Sequence, residues 1–415
     1  MRKYKGYLVV LKHVCKFCEQ RKVIKSPVLL VCSDGNRGFV YSDRKYSPLL
    51  DTINERLVEE GMHCLTIATP FSVDKGAKAF GNVVTINGLI ARATIISILK
   101  YLLNRKSFYK NNPIVRKWEQ VLKKINPQII IAIQPSRELC IAANQSNIWV
   151  ADLQHGILSD EGYYGWQYRN IFKQMGWPDC ILCWDKGSAN WVRDHLPEQV
   201  KTKVIGNPWI LRFIQPQDND KLLLSARKLK MKTNKVLTIL VTLQWGKDPG
   251  VEYHETTIPL FLLDFIKECG RDYIWWLRIH PALIQGPIRR NIYLKFEQTF
   301  NQLDNVFWEE CSEYPLPLIL SQTDLHITSH GSTTVEASWF GIKTALLLND
   351  SQLLLEYFKE QISNGYADIV DSDKESIRSW IEKNKSEALN PKFPNYMTAD
   401  SFKMFIHDIK LYIRD

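Results

Sequence analysis

The strongest constraint on how this chain can fold is an alternation, repeated twice, of short apolar runs with segments of helical spacing. In the first half, residues 28–32, 63–68, 82–86, 128–133, 148–153, 179–184 and 201–205 are short, apolar and bounded by Gly, Pro or Asn, which predicts strands. Between them, residues 49–60, 91–103, 113–125, 137–144 and 188–195 carry apolar side chains at helical period. Such alternation predicts a parallel sheet wrapped by helices. Gly206-Asn207-Pro208 closes the series, and a polar stretch with Pro216, Asp218 and Asp220 reads as a connection. A second series follows, with strands at 236–243, 273–279, 305–308, 324–328, 344–348 and 367–370. Its helices fall at 257–269, 291–300, 316–321, 334–340, 352–359 and 374–383. The expected fold is therefore α/β, with two doubly wound Rossmann-like domains facing a cleft. A first domain spans residues 1–207, a linker 208–235 and a second domain 236–398; a last helix, 399–415, packs back on the first domain. A length of 415 residues with 45% apolar content suits two such cores better than one.

Composition excludes several functions. No apolar run reaches the roughly 18 residues needed to cross a bilayer, and Met1-Arg2-Lys3 does not open a signal peptide, so a cytosolic protein is expected. Nine cysteines scattered through apolar surroundings suit reduced thiols rather than a disulfide framework. Cys180 and Cys183 lie in one strand at a spacing that puts them on opposite faces, a poor chelate, and Cys15 and Cys18 have no second pair in similar context; no metal site is expected. The net charge of +10 is spread along the chain apart from the cluster Arg227-Lys228-Leu229-Lys230-Met231-Lys232, and no nucleic-acid module accompanies it. A basic chain without a span suits phosphate-rich donors, polyanionic acceptors and peripheral association with the anionic inner face of the cytoplasmic membrane.

In doubly wound sheets ligands bind outside the carboxyl ends of the strands, and the segments of unusual chemistry fall there. Ser329-His330-Gly331-Ser332-Thr333-Thr334-Val335-Glu336 follows a strand and opens a short helix, where backbone N–H groups and hydroxyls favour an anion. Thr333 and Glu336 also have the spacing of a capping box. Arg278 and His280 alternate at the end of another strand, sharing one face and able to direct two donors at a phosphate, and Pro281 stops the strand there. In the first domain Gln154-His155-Gly156 leaves a buried strand and leads to Asp160-Glu161-Gly162, a candidate general-base station, with Tyr163, Tyr164 and Trp166 as candidates for stacking on a sugar. Gly35, Asn36 and Gly38 follow the first strand and suit the acceptor side. Asp218-Asn219-Asp220 and Asp371-Ser372-Asp373 match the D-x-D form of metal-dependent transferases but sit in polar connections.

Taken in order, Gln154-His155-Gly156, Val204-Ile205-Gly206-Asn207-Pro208, Arg278-x-His280-Pro281 and Ser329-x-x-Ser332-Thr333-x-x-Glu336 with Gly341 resemble bacterial glycosyltransferases of the GT-B fold that build surface polysaccharides. Asp160-Glu161-Gly162, His280-Pro281 and Ser329/Ser332/Thr333 are similar to the motifs of the sialyltransferase, polysialyltransferase and capsule Kdo transferase group. The resemblance implies inverting, metal-independent transfer of a CMP-activated acidic sugar to a lipopolysaccharide or capsule glycan, with no cofactor beyond the nucleotide-sugar donor. It implies Glu161 or Asp160 as the base, with His155 as the alternative. His280 would act on the departing phosphate, which Ser329, Ser332 and Thr333 would hold; Arg278, Pro281, Gly331 and Glu336 complete the donor site. Two alternatives stand beside it: the same fold using a UDP- or other nucleotide-linked sugar or a polyol phosphate, and a noncatalytic scaffold of a polysaccharide assembly complex.

Overall fold

A computed structural model describes residues 24–68, 78–84, 86–103, 112–158, 176–215, 218, 220–223, 236–244, 246–248, 250–269, 271–281, 283–284, 289–347, 350–388 and 399–414. The chain divides into two compact units, Met1–Trp209 with Thr398–Asp415, and Ile210–Met397. Among the described residues no helix is long and apolar enough to cross a membrane.

Among the described residues the N-terminal unit has ten strands: β1 Val28–Cys32, β2 Phe39–Tyr41, β3 Arg44–Tyr46, β4 Cys64–Ala68, β5 Lys78–Ala79, β6 Val83–Val84, β7 Ile129–Ala132, β8 Trp149–Leu153, β9 Cys180–Cys183 and β10 Lys201–Val204. Seven form a parallel sheet in the order β10-β9-β8-β7-β1-β4-β6. β1 is buried at every position, as an apolar run without alternation must be when helices cover both faces of a sheet. Local chemistry marks the helices. Pro113–Ile125 starts at Asn112, whose side chain accepts from the Ile114 N–H, carries Pro in its first turn and stops at Asn126 in the left-handed region. Ser136 and Asp185 cap Arg137–Gln145 and Lys186–His195 in the same way. The C-terminal helix, Ala399–Arg414, packs on the helix Leu50–Glu59, and its Lys410 and Asp408 pair with Glu60 and Lys203.

Sequence periodicity did not anticipate the small sheet β2-β3-β5. Its strands are two or three residues long, too short for an alternation to register. It is held by rings: Tyr46, fully buried, packs against Phe39, Tyr41, Phe80 and Trp209 with centroids 5.0–6.3 Å apart.

Among its described residues the C-terminal unit has six strands, β11 Thr238–Thr242, β12 Ile274–Arg278, β13 Val306–Phe307, β14 Leu325–Thr328, β15 Lys343–Leu346 and β16 Ala367–Ile369. All pair parallel in the order β13-β12-β11-β14-β15-β16. Trp275 and Trp276 of β12 are almost wholly buried, as are Phe265 and Phe296. Burying each such side chain stabilises by about 1.5–3 kcal/mol, which anchors the strand that carries Arg278. The predicted α/β class with two parallel doubly wound sheets is the observed one.

In each unit the first strand sends the chain to one side of the sheet before it returns to the other. In the N-terminal unit this reversal lies between β1 and β7, and in the C-terminal unit between β11 and β14. At such a switch point the loops leaving the two strands part in opposite directions and open a crevice at their carboxyl ends.

Candidate functional site

In the C-terminal unit, register brings the candidate residues to one edge. Thr242 of β11 stands beside both Arg278 of β12 and Thr328 of β14. Two residues further on, the same three strands lead to Gln244, His280 and His330. Arg278 Nη1 donates to the Tyr314 carbonyl at 2.9 Å and to the Cys311 carbonyl. Burial lowers its pKa to about 10, which leaves it charged, with Cys311 and Glu336 opposing the shift. The Glu336 carboxyl is pushed up to about 7 by burial and is held back by Arg278. Burial, and then the Arg278 charge, lower the pKa of His280, so its imidazole is neutral at neutral pH. Arg278, His280 and Glu336 thus form one electrostatic group.

Ser329, His330, Gly331, Ser332 and Thr333 are half-buried and run from β14 to the helix Thr333–Trp339. The capping-box reading does not hold. Thr333 is already the first helical residue, and Ser332 before it makes no capping hydrogen bond. Gly331 answers a close approach: a Cβ there would lie 3.0 Å from Thr328 Oγ1 and 3.1 Å from Gln244 Nε2. Gln244 Nε2 itself donates to Thr328 Oγ1, and Thr328 Oγ1 to the Thr242 carbonyl. Behind them His326 is wholly buried, bridging Thr242 and Thr344 Oγ1 at 2.9 and 3.0 Å, which makes it a structural histidine.

Sequence reading missed Gln244, Asp248 and Tyr253. Asp248 is buried, its Oδ2 accepts from the Tyr253 hydroxyl at 2.8 Å, and its own N–H donates to that phenol oxygen at 3.1 Å. Asp248 Oδ1 lies 3.5 Å from His330 Nδ1. Tyr253 is pushed up to about 12 by burial. The signal for these residues is positional: they follow the carboxyl end of the strand at the switch point, where side chains of any polar type gain a role. A cavity of about 700 Å³ lined by Arg289, Tyr293, Glu297 and Trp308 shares no residue with this row.

In the N-terminal unit, Gln154 follows β8 almost wholly buried and is engaged at both ends of its amide. Nε2 donates to the Gly156 carbonyl and to Ser188 Oγ, and Oε1 accepts from the Trp184 N–H at 2.7 Å. His155 Nε2 is 2.6 Å from the amide nitrogen of Gln134, and burial lowers its pKa to about 4. The imidazole is therefore neutral, and a weak base. Asp160, Glu161, Tyr163, Tyr164 and Trp166 lie outside the described residues, as do Cys15 and Cys18. At the end of β1, Asn36 Nδ2 donates to Ser33 Oγ, and the buried Arg37 pairs with Asp51 at 2.7 Å with both side chains fully enclosed. Gly206 adopts φ 77°, and the Asn207 side chain accepts from the Trp209 N–H, turning the chain out of the unit.

Neither D-x-D triplet is arranged as a metal site. Asp220 is buried and accepts from Arg212 Nε and Nη2 at 2.6 and 2.7 Å, while Asp373 accepts from the N–H and hydroxyl of Ser376 at a helix start. Cys180 and Cys183 are buried thiols whose pKa values burial raises. Among the described residues no three His, Cys, Asp or Glu side chains are grouped to hold a metal ion.

No family model matches this chain, and no curated protein matches it in sequence. Solved structures match it in fold. The UDP-GlcNAc 2-epimerase from Neisseria meningitidis bound to UDP-GlcNAc has a TM-score of 0.60 at 15% identity, over 92% of this chain and 99% of that one. The epimerase from Methanocaldococcus jannaschii in complex with UDP-GlcNAc and UDP has a TM-score of 0.56 at 15% identity, over 92% and 99%. A histidine-to-alanine variant of the wall teichoic acid polymerase TagF has a TM-score of 0.60 at 11% identity, over 100% and 98%. Likeness at these identities is likeness of fold: the chain has the two-Rossmann-domain, GT-B-like architecture of these enzymes.

Proposed function

We propose that this protein is a GT-B enzyme that binds a nucleotide-activated donor at the carboxyl edge of β11, β12 and β14 and transfers the activated group to a glycan or other surface-polymer acceptor. The observation that carries the reading is the common edge of Gln244, His280 and the Ser329–Thr333 segment at the switch point, with charged Arg278 beside them. A departing nucleotide is an anion, and donors fixed in place before the reaction lower its cost as charge develops. A neutral His280 offers a ring N–H to a phosphate oxygen, Ser329, Ser332 and Thr333 offer hydroxyls, and the backbone around Gly331 can approach closely because no Cβ stands there. In the N-terminal unit the base is assigned to Glu161 or Asp160. His155 is the weaker candidate, since a group with a pKa near 4 accepts a proton poorly at neutral pH.

A UDP-linked sugar or a polyol phosphate is the favoured donor class. Support comes from the fold, since the epimerase structures contain UDP-GlcNAc or UDP and TagF is a teichoic acid polymerase. The CMP-linked acidic sugar is supported by the sequence order Asp160-Glu161-Gly162, His280-Pro281 and Ser332-Thr333. Thermal stabilisation separates the two. A ligand present at a hundred times its Kd raises folding stability by about 2.7 kcal/mol. A response to UDP is the expected result. A response to CMP alone would return the acidic-sugar donor, and silence towards UDP, CMP and GDP would leave a scaffold.

A further inference from the structure

Asp248 has no part in the motifs that suggested a donor site, and His330 lies inside the anion segment without a role assigned to it, yet the two meet at the same edge. Asp248 is buried, and two hydrogen bonds fix it: its Oδ2 accepts from the Tyr253 hydroxyl and its N–H donates to that phenol oxygen; its Oδ1 lies 3.5 Å from His330 Nδ1, a close approach rather than a hydrogen bond. Lys247 Nζ lies 5.9 Å from the centre of the Tyr253 ring. His330 Nδ1 is buried and has no closer partner among the described residues, although about a third of the side chain, 34%, is exposed. The edge open to a ligand is therefore the one that carries Nε2.

We propose that Asp248 is a positioning residue: with Tyr253 it holds the His330 ring so that Nε2 is presented to the phosphate oxygens of the nucleotide donor. The inference rests on the reading of this edge as a nucleotide site and assigns a second imidazole to it beside His280. A histidine has two nitrogens, and fixing one against a carboxylate sets both the ring plane and which nitrogen meets the ligand. The row explains the sequence spacing as well. His330 precedes Gly331, whose missing side chain lets β14's loop lie against Gln244, and this brings His330 next to the loop that carries Asp248.

The test is a double-mutant cycle on the full chain, with UDP as the probe in titration calorimetry, or CMP should that be the nucleotide bound. Asp248→Ala and His330→Ala should each weaken binding about tenfold, and Asp248→Ala should cost less than about twofold once His330 is already alanine, because coupled residues are not additive. Asp248→Asn should recover binding to within about threefold of wild type, since with its amide oxygen turned to the ring it still offers an acceptor to Nδ1 while its NH2 donates to the Tyr253 oxygen. A merely structural Asp248 would instead lower the melting temperature of the protein alone and weaken nucleotide binding equally in both backgrounds; that result overturns the proposal. Should Asp248→Ala not fold, Tyr253→Phe carries the same cycle, with a loss that disappears in the His330→Ala background as the expected result. Wild-type protein that binds none of the nucleotides sinks the nucleotide site and this inference with it, whereas wild-type binding with additive losses sinks the positioning role alone.

Discussion

The two switch-point edges are built alike and furnished differently. At the β1 and β7 end the charged pair is turned inward, while Ser33, Asn36 and Gln134 are half-buried. Arg37 and Asp51 enclose each other, Asp51 also accepts from the Ser47 N–H at 2.6 Å, and no hydrogen bond reaches Arg37 Nε or Nη2 among the described residues. Burial pushes the Asp51 pKa up to about 6 although Arg37 opposes the shift, so the pair costs desolvation that its attraction only partly offsets. At the β11 and β14 end, by contrast, Ser329, His330, Ser332 and Thr333 stay half-exposed while the groups behind them, Asp248, Thr328 and His326, are buried and hydrogen-bonded. A buried layer that orients an open layer is the arrangement expected of a binding site. A closed ion pair is the arrangement expected of a fold element. Equal topology therefore does not mean equal function; the side chains at the strand ends decide it.

The largest expected effect lies in the closed edge. Arg37→Ala leaves Asp51 buried without its partner and should lower stability by about 3 kcal/mol in urea denaturation, with UDP affinity per folded molecule unchanged. An unchanged midpoint would erase the contrast between the edges. His280→Ala should do the reverse. Turnover in a donor-hydrolysis or transfer assay should fall about a hundredfold, equal to roughly 2.7 kcal/mol of barrier, while the urea midpoint stays near wild type. Retained turnover would remove His280 from the site.

The third effect is on pH dependence. Burial lowers the His326 pKa from 6.5 to about 3, so between those values the unfolded chain binds a proton that the folded chain does not. Its contribution is present above pH 6.5 and is lost as pH falls. His326→Asn should therefore flatten the stability difference between pH 6.5 and 5 by on the order of 2 kcal/mol relative to wild type, read from paired denaturation curves. Curves with the same slope in both proteins would mean that His326 is not held neutral by the sheet. The smallest effect is expected from Gly331→Ala, whose Cβ would press on Thr328 Oγ1 and Gln244 Nε2. A loss of about 1 kcal/mol in stability with a several-fold weaker nucleotide affinity is expected, and full affinity would show that the close approach does not matter.

Much of this could be read before any coordinates. Residues 28–32 and 113–125 are a strand and a helix with those same bounds, because an unbroken apolar run and an Asn-Pro start with an Asn stop are complete local instructions. His280 and the Ser329–Thr333 segment were legible because they combine unusual chemistry with a strand end. Asp248 and Tyr253 were not, since nothing in Gly246-Lys247-Asp248 or Val251-Glu252-Tyr253 has a period or a motif. They stand out only in three dimensions, where Asp248 lies 3.5 Å from His330 and Tyr253 bonds Asp248. His326 illustrates the opposite case. It stands four residues before His330, yet alternation along β14 turns it into the sheet, where two threonines bind it.

Local chain chemistry, then, determined the alternation of strands and helices and the two parallel sheets, because periodicity and capping act over a few residues; the short β2-β3-β5 sheet and the strand orders that set the switch points came only with the structure. Only the tertiary structure decided which polar groups are enclosed and which stay open. Burial and electrostatic environment depend on neighbours distant in sequence, so Arg37 and Asp51 became a closed pair, Glu336 a carboxyl pushed up to about 7, and His330 a partly exposed ring with Nδ1 enclosed 3.5 Å from Asp248.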